Sequence, residues 1–296
     1  MFKNKYNQVR SGWLILGAFL IVLTGQVMFT LPGGTMISLL EMSARHDTGG
    51  LSSAFDPYIL LLTQGAGTFG AIGATLIAFR AINKKNPNKL GVQGPPLDFL
   101  VGLALGAVSM TIIFLILYAT NNISLVNDFT SPNITPYFFV YGILFILVGF
   151  FEEMFFRGYV MKTLTSRRNS KLTIYLVSAG FFSLAHIINP NLAVLGLVNI
   201  FFIGLLFAYM FDVTRSLLLP IGYHITWNFF QGTVFGFPVS GTDAHGLYEV
   251  DVTNGINLLT GGSFGVEGGL ITTLIIGLGF IVTKFYTKNR VDVGKW

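Results

Sequence analysis

Along this chain the hydrophobic positions do not alternate with polar ones; they join into long apolar runs separated by polar connections. A helix needs about 20 apolar residues to cross the hydrocarbon of a bilayer. Runs of that kind begin near Trp13, Tyr58, Phe99, Tyr137, Leu172, Ala193, Leu217 and Gly269, which predicts eight spans. The fifth is short and the seventh carries Pro220, His224, Asn228 and Gln231, so seven spans is the fallback. The expected fold class is all-α, a polytopic membrane helical bundle. Small residues at four-residue spacing predict close helix contact: Ala66, Gly70 and Ala74 in the second run, Gly102 and Gly106 in the third.

Composition supports the same solvent. Of 296 residues 52% are hydrophobic and only 10% are charged, more apolar surface than a water-soluble core can use. Cysteine is absent, which excludes disulfides, thiolate metal sites and a cysteine nucleophile. The net charge of +5 is modest, and no basic patch interleaved with aromatics stands on a polar domain, so no nucleic-acid partner is expected.

The placement of that charge sets an orientation, because basic loops flanking spans stay cytoplasmic. Lys3, Lys5 and Arg10 precede the first run, and Arg80, Lys84, Lys85 and Lys89 lie between the second and third. Lys162, Arg167, Arg168 and Lys171 separate the fourth and fifth, Arg215 the sixth and seventh, and Lys284, Lys288, Arg290 and Lys295 follow the last. With eight spans all of these fall on one side, leaving Arg45 opposite and Arg157 within a span. Both termini are therefore expected in the cytoplasm. The basic start resembles a secretory signal, but its apolar stretch is long and no small-residue cleavage site follows, so a retained first span is expected. Short loops and the lack of a eukaryotic targeting tail point to a bacterial plasma membrane.

Three connections are longer: 41–57 and 236–268 outside, and 81–98 inside. The 236–268 segment is rich in Gly, Thr and Asn and reads as a solvated, partly mobile loop, with a lid over an external opening as the sharper alternative. The expected organisation is three N-terminal spans over 1–136, a central core over 137–235, and an external loop, last span and tail over 236–296.

Candidate chemistry comes from polar residues inside the apolar runs. An ionised group at mid-membrane costs about 2.5–3.5 kcal/mol on insertion scales, so such residues face a bundle interior or a wet cavity. Glu152, Glu153, Arg157, His186, His224 and Asn228 occupy the fourth, fifth and seventh runs, and a shared internal site is the economical explanation. Glu153 and Arg157 are four apart and can pair on one helix face. Glu152 points about 100° away from Glu153, less well served by the same arginine and suited to a general base. His224 and Asn228 stand one turn apart, as do Phe182 and His186, with Phe182 read as packing. The structural alternatives are that Glu153–Arg157 is only a self-neutralising pair and that each histidine only joins two helices. Counted along the helices, Glu152 and His224 lie about 15 Å from the cytoplasmic edge and His186 about 22 Å, a mismatch that a tilted or recessed fifth helix would close. Asp98 and Asp212 fall at span ends, where solvated positions are expected.

These motifs resemble the CAAX-protease and bacteriocin-processing family, also called Abi, which includes the type II CAAX prenyl endopeptidases. They stand as Glu152-Glu153-Met154-Phe155-Phe156-Arg157, Phe182 to His186, and His224 to Asn228, within about residues 137–235. The resemblance implies an intramembrane endopeptidase of about eight helices with a cavity opening toward the cytoplasm. It implies that Glu152 with His186 activates water, that His224 and Asn228 stabilise the oxyanion, and that Glu153 with Arg157 organises the site. The family is often described as metalloproteases. A divalent metal such as zinc is the candidate cofactor, with Glu152, His186 and His224 as candidate ligands, although the helical HExxH signature is absent.

The implied substrate is a membrane-associated peptide or protein, prenylated or not. The alternatives are a non-catalytic membrane regulator or bacteriocin self-immunity protein of the same family, and a transporter, since buried Glu, His and Arg also mark ion paths. No serine in a GxSG setting has a histidine partner, and no two spans supply paired aspartates, which argues against the serine and aspartyl intramembrane chemistries.

Overall fold

A computed structural model describes residues 2–47, 53–252 and 255–290. The eight apolar runs all form helices. They are α1 (Ser11–Asp47), α2 (Asp56–Ala81), α3 (Pro96–Ala119), α4 (Pro136–Ser166), α5 (Lys171–Ala185), α6 (Val194–Thr214), α7 (Leu218–Asn228, continued by a π turn over Phe229–Val234) and α8 (Leu270–Thr287). The chain is an all-α bundle. Six helices, α1 to α4, α6 and α8, are long and apolar enough to cross a bilayer. The fifth and seventh expected spans are shorter. At 15 residues, α5 reaches about 22 Å, less than the roughly 30 Å hydrocarbon thickness. Outward-facing Ile77, Leu115 and Leu274 are exposed, as a lipid-facing surface requires.

The connections collect into two faces. On one, Lys162 Nζ donates to the Lys89 carbonyl, Asn83 donates to Thr163 at 2.8 Å, Lys171 pairs with Asp212 at 2.5 Å, and Arg290 clasps Asp98. Ser11, Asn169 and Arg290 also lie here, so both described chain ends share the basic face. Lys295 and the connection 48–52 lie outside the described residues. On the other face, strand β1 (Ser124–Leu125) pairs antiparallel with β2 (Val250–Asp251), and Asn127 Nδ2 donates to the Leu247 carbonyl at 3.0 Å.

Three expectations change. α1 continues to Asp47, so the connection expected over 41–57 begins later. Asp98 and Asp212 are buried rather than solvated, because each is neutralised where it stands. Asp98 accepts from Tyr286 and Arg290, while Asp212 meets Lys171, Arg215 and the Tyr175 hydroxyl. Most of the 236–268 segment is a bonded cap, although Thr253 and Asn254 lie outside the described residues. Glu267 accepts from the Ser240 backbone N–H at 2.6 Å and its hydroxyl at 2.8 Å, Asn199 Nδ2 donates to the Glu267 carbonyl at 2.7 Å, and Asn189 Nδ2 to the Ser240 carbonyl at 3.1 Å.

The small residues act at the α3–α7 seam. A Cβ on Gly106 would collide with the Tyr223 carbonyl and the Thr226 hydroxyl of α7, and that hydroxyl donates across the seam to the Leu103 carbonyl at 2.7 Å. Membrane helices gain little from the hydrophobic effect against each other, so backbone approach and such bonds carry the association. Gly106→Leu is expected to cost about 1–3 kcal/mol by overpacking and to lower the unfolding temperature of the purified protein. Gly180→Ala on α5, where nothing lies within 4 Å of the added methyl, should leave it unchanged or raise it slightly.

Candidate active site

Helix α4 delivers the acidic pair through a change of winding. It is α-helical to Glu152 and π-helical over Glu153–Met161, a rare geometry that recurs at functional sites. A wider turn leaves backbone carbonyls free for other partners, and the Phe156 carbonyl accepts from the Ser178 hydroxyl of α5 at 3.0 Å. One turn before Glu153, Gly149 lets α7 approach, since a Cβ there would stand 2.7 Å from Ile225 Cγ1. That approach brings His224, next to Ile225, against the glutamates.

Glu153 and Arg157 are fully buried. One oxygen, Glu153 Oε1, accepts from Arg157 Nη1 at 2.7 Å and lies 3.0 Å from His224 Nδ1. Arg157 Nη2 donates to the Gly204 carbonyl of α6 at 3.2 Å, and the guanidinium lies over the rings of Phe182 at 4.3 Å and Phe207 at 5.2 Å. A desolvated cation over an aromatic face gains about 2 kcal/mol, which makes Phe182 more than filler.

Glu152, unlike Glu153, lines the cavity and is partly exposed. Its Oε2 has no hydrogen-bond partner and stands 3.8 Å from His224 Nε2. His224 thus sits between two carboxylates. His186 follows the last residue of α5, with Nδ1 2.8 Å from the Phe182 carbonyl. A carbonyl can only accept, so Nδ1 carries the proton of this bond and the neutral ring keeps a lone pair on Nε2. Asn228, one turn beyond His224, ends the α-helical part of α7 and is buried.

Glu152, His186, His224 and Asn228 line one cavity of about 500 Å³ walled by Phe156, Phe182 and Phe207. Glu153 and Arg157 stand behind its wall. His186, immediately after the last residue of α5, lines the same cavity as Glu152 and His224 despite the difference in depth counted along the helices. Among the described residues no group of three His, Cys, Asp or Glu side chains is arranged to hold a metal ion. Glu152 and His224 adjoin, but His186 does not complete a three-ligand set with them.

Two parts of the cavity were not foreseen. Gln26 of α1, and Gln64 with Thr68 of α2, line it, as do Ser240, Asp243 and Glu267 of the cap. The signal for the glutamines was present, an amide inside an apolar run, but only ionisable groups and the amides of the seventh run were weighed. The exposed lining residues, among them Gln26, Gln64, Ile188, Thr242 and Asp243, lie away from the basic face.

Residues 133–230 match the family model for type II CAAX prenyl endopeptidase Rce1-like proteins, about a third of the chain. No curated protein and no solved structure matches the chain. The match spans all three motifs and the polar side chains gathered from α4, α5 and α7, and over this third of the chain the protein is similar to the type II CAAX prenyl endopeptidase Rce1-like family.

Proposed function

We propose that this protein is an intramembrane endopeptidase that hydrolyses a peptide bond of a membrane-associated peptide or protein. The observation that carries this reading is the convergence of Glu152, His186, His224 and Asn228 on one cavity, with a buried ion pair behind it.

Hydrolysis needs a proton acceptor for water and donors for the oxygen that becomes negative. Glu152 is the acceptor, with a carboxylate oxygen that has no protein donor. His186 Nε2 presents a second lone pair to the same water. The water oxygen bonds to the scissile carbonyl carbon, its proton passes to Glu152, and the carbonyl π electrons move onto oxygen. His224 Nε2–H and the Asn228 amide then donate to that oxyanion. On collapse the C–N bond breaks, and the proton held by Glu152 passes to the departing amine.

The donor role of His224 has an electrostatic basis. Two carboxylates and one guanidinium sum to −1, and an imidazolium at His224 brings the group to zero net charge, the economical state in a low-dielectric interior. Both ring nitrogens then donate, Nδ1 to Glu153 and Nε2 toward the cavity. Glu153 with Arg157 fixes that ring and does not touch the substrate. None of these steps runs through a metal.

A non-catalytic regulator or immunity protein would not need the Glu152 carboxylate. Peptides from membranes and medium of cells with the wild-type chain and with Glu152→Gln should differ by products that vanish in the variant, a loss of about 10²–10⁴-fold in rate. Identical profiles, or full complementation of a deletion by a chain lacking Glu152, His186 and His224, would favour the regulator. With a substrate in hand, Asn228→Ala should lower kcat about 10²–10³-fold with little change in KM. Arg157→Met leaves Glu153 buried with the His224 ring as its remaining partner and should destabilise the protein by about 3–5 kcal/mol, read as a lower unfolding temperature. Adding Glu153→Gln should restore much of that stability while activity stays low, because the His224 ring loses its anionic partner.

A further inference from the structure

The cavity is sealed on one side and open on the other, and the sides differ in charge. Between the glutamates and the basic face the helices are packed solid: Phe155, Tyr159, Met161, Leu164, Phe211 and Leu217 are all at most 3% exposed, and Leu90 of the basic connection is fully buried among them. No residue of the basic connections lines the cavity. The rim is formed instead by Gln26, Gln64, Ile188, Thr242 and Asp243, from α1, α2, the segment after α5 and the cap. The cap belongs to the face that holds the β1–β2 pair. That face is acidic: Glu41, Asp56, Asp128, Asp243, Glu249, Asp251 and Glu267 share it with one arginine, Arg45.

Basic loops stay in the cytoplasm, so the sealed face is the cytoplasmic one and the rim lies on the extracytoplasmic side. We infer that the cavity is filled from the extracytoplasmic side, and that its substrate is an extended peptide segment reaching the site from the outer leaflet. A cytoplasmic chain terminus would meet the sealed face. Chemistry refines the class. A 500 Å³ cleft lies in the usual range of ligand pockets and holds a few extended residues but no folded domain. Its aromatic wall accepts apolar side chains. Neither glutamine side chain at the rim has a hydrogen-bond partner among the described residues, and each amide offers the paired donor and acceptor that a peptide backbone needs. The acidic face around the rim, with Asp243 on the rim itself, favours a segment with a basic residue just outside the cleft.

The side of opening stands independently of the chemistry, whereas the substrate class rests on the protease reading. The absence of cysteine lets single thiols report position without background. Thr242→Cys at the rim, Val148→Cys inside the cavity one turn before Glu152, and Lys89→Cys and Arg168→Cys on the basic face would be treated with a small membrane-impermeant thiol reagent. Thr242→Cys and Val148→Cys are expected to label in intact cells, and the other two only after the membrane is opened. Labelling of Val148→Cys only in opened membranes, or at no stage, would overturn the inference. In parallel, chain termini that depend on Glu152 would be mapped. Extracytoplasmic termini support the substrate class and cytoplasmic ones overturn it. If labelling follows expectation and no termini depend on Glu152, the protease reading falls while the side of opening holds.

Discussion

One buried carboxylate organises this protein. Glu153 Oε1 meets both Arg157 and His224, and Arg157 continues to the Gly204 carbonyl, so a single chain of contacts ties α4, α7 and α6 together at mid-bundle. Any one of these groups left alone in an apolar interior would cost several kcal/mol. Together they offset one another's charge, although Glu153 Oε2 and Arg157 Nε keep no hydrogen-bond partner, while Glu152 lines the cavity. Two adjacent glutamates thus take opposite duties, set by environment alone.

Small residues make that arrangement possible. Gly149 on α4 and Gly102 and Gly106 on α3 let α7 approach from two sides, and His224 follows the backbone of α7 into place. Each long-range polar contact at the site depends on helix axes set by residues with no chemistry of their own. The π segments do complementary work. The one over Leu61–Gly65 presents Gln64 to the cavity, the one over Glu153–Met161 frees the Phe156 carbonyl for Ser178, and the one over Phe229–Val234 begins immediately after Asn228. Wide turns occur where the helices must turn polar groups inward.

The asymmetry between the two faces connects this architecture to function. The hydrolysis proposed for this cavity needs water from one side of the bundle, and the membrane must not leak through to the other. Tightly packed aromatic and aliphatic side chains close the basic face, while a hydrogen-bonded cap built on Glu267, Ser240 and Asn199 shapes the opposite opening. The cap residues lie beyond the matched family segment, and the glutamines of α1 and α2 lie before it. In this chain the matched helical core supplies the ionisable side chains of the cavity, and the segments around it supply its rim.

What the sequence by itself determined was the solvent and the inventory. Continuous apolar runs leave no alternative to a helical membrane bundle, because only a helix satisfies its own backbone in lipid. The cost of ionised groups in such runs picked out Glu152, Glu153, Arg157 and His186, while helical spacing linked His224 with Asn228. Partnership was not legible. Spacing paired Glu153 with Arg157, but no periodicity within one helix could reveal that the same oxygen also meets His224, 71 positions away. The burial of Asp98 was hidden for the same reason, since its partner Arg290 lies 192 positions on. Nor could composition show that a Gly- and Thr-rich segment forms a bonded cap, or which end of the cavity is closed. Those outcomes depend on how helices distant in sequence stack, and packing of that kind exists only in three dimensions.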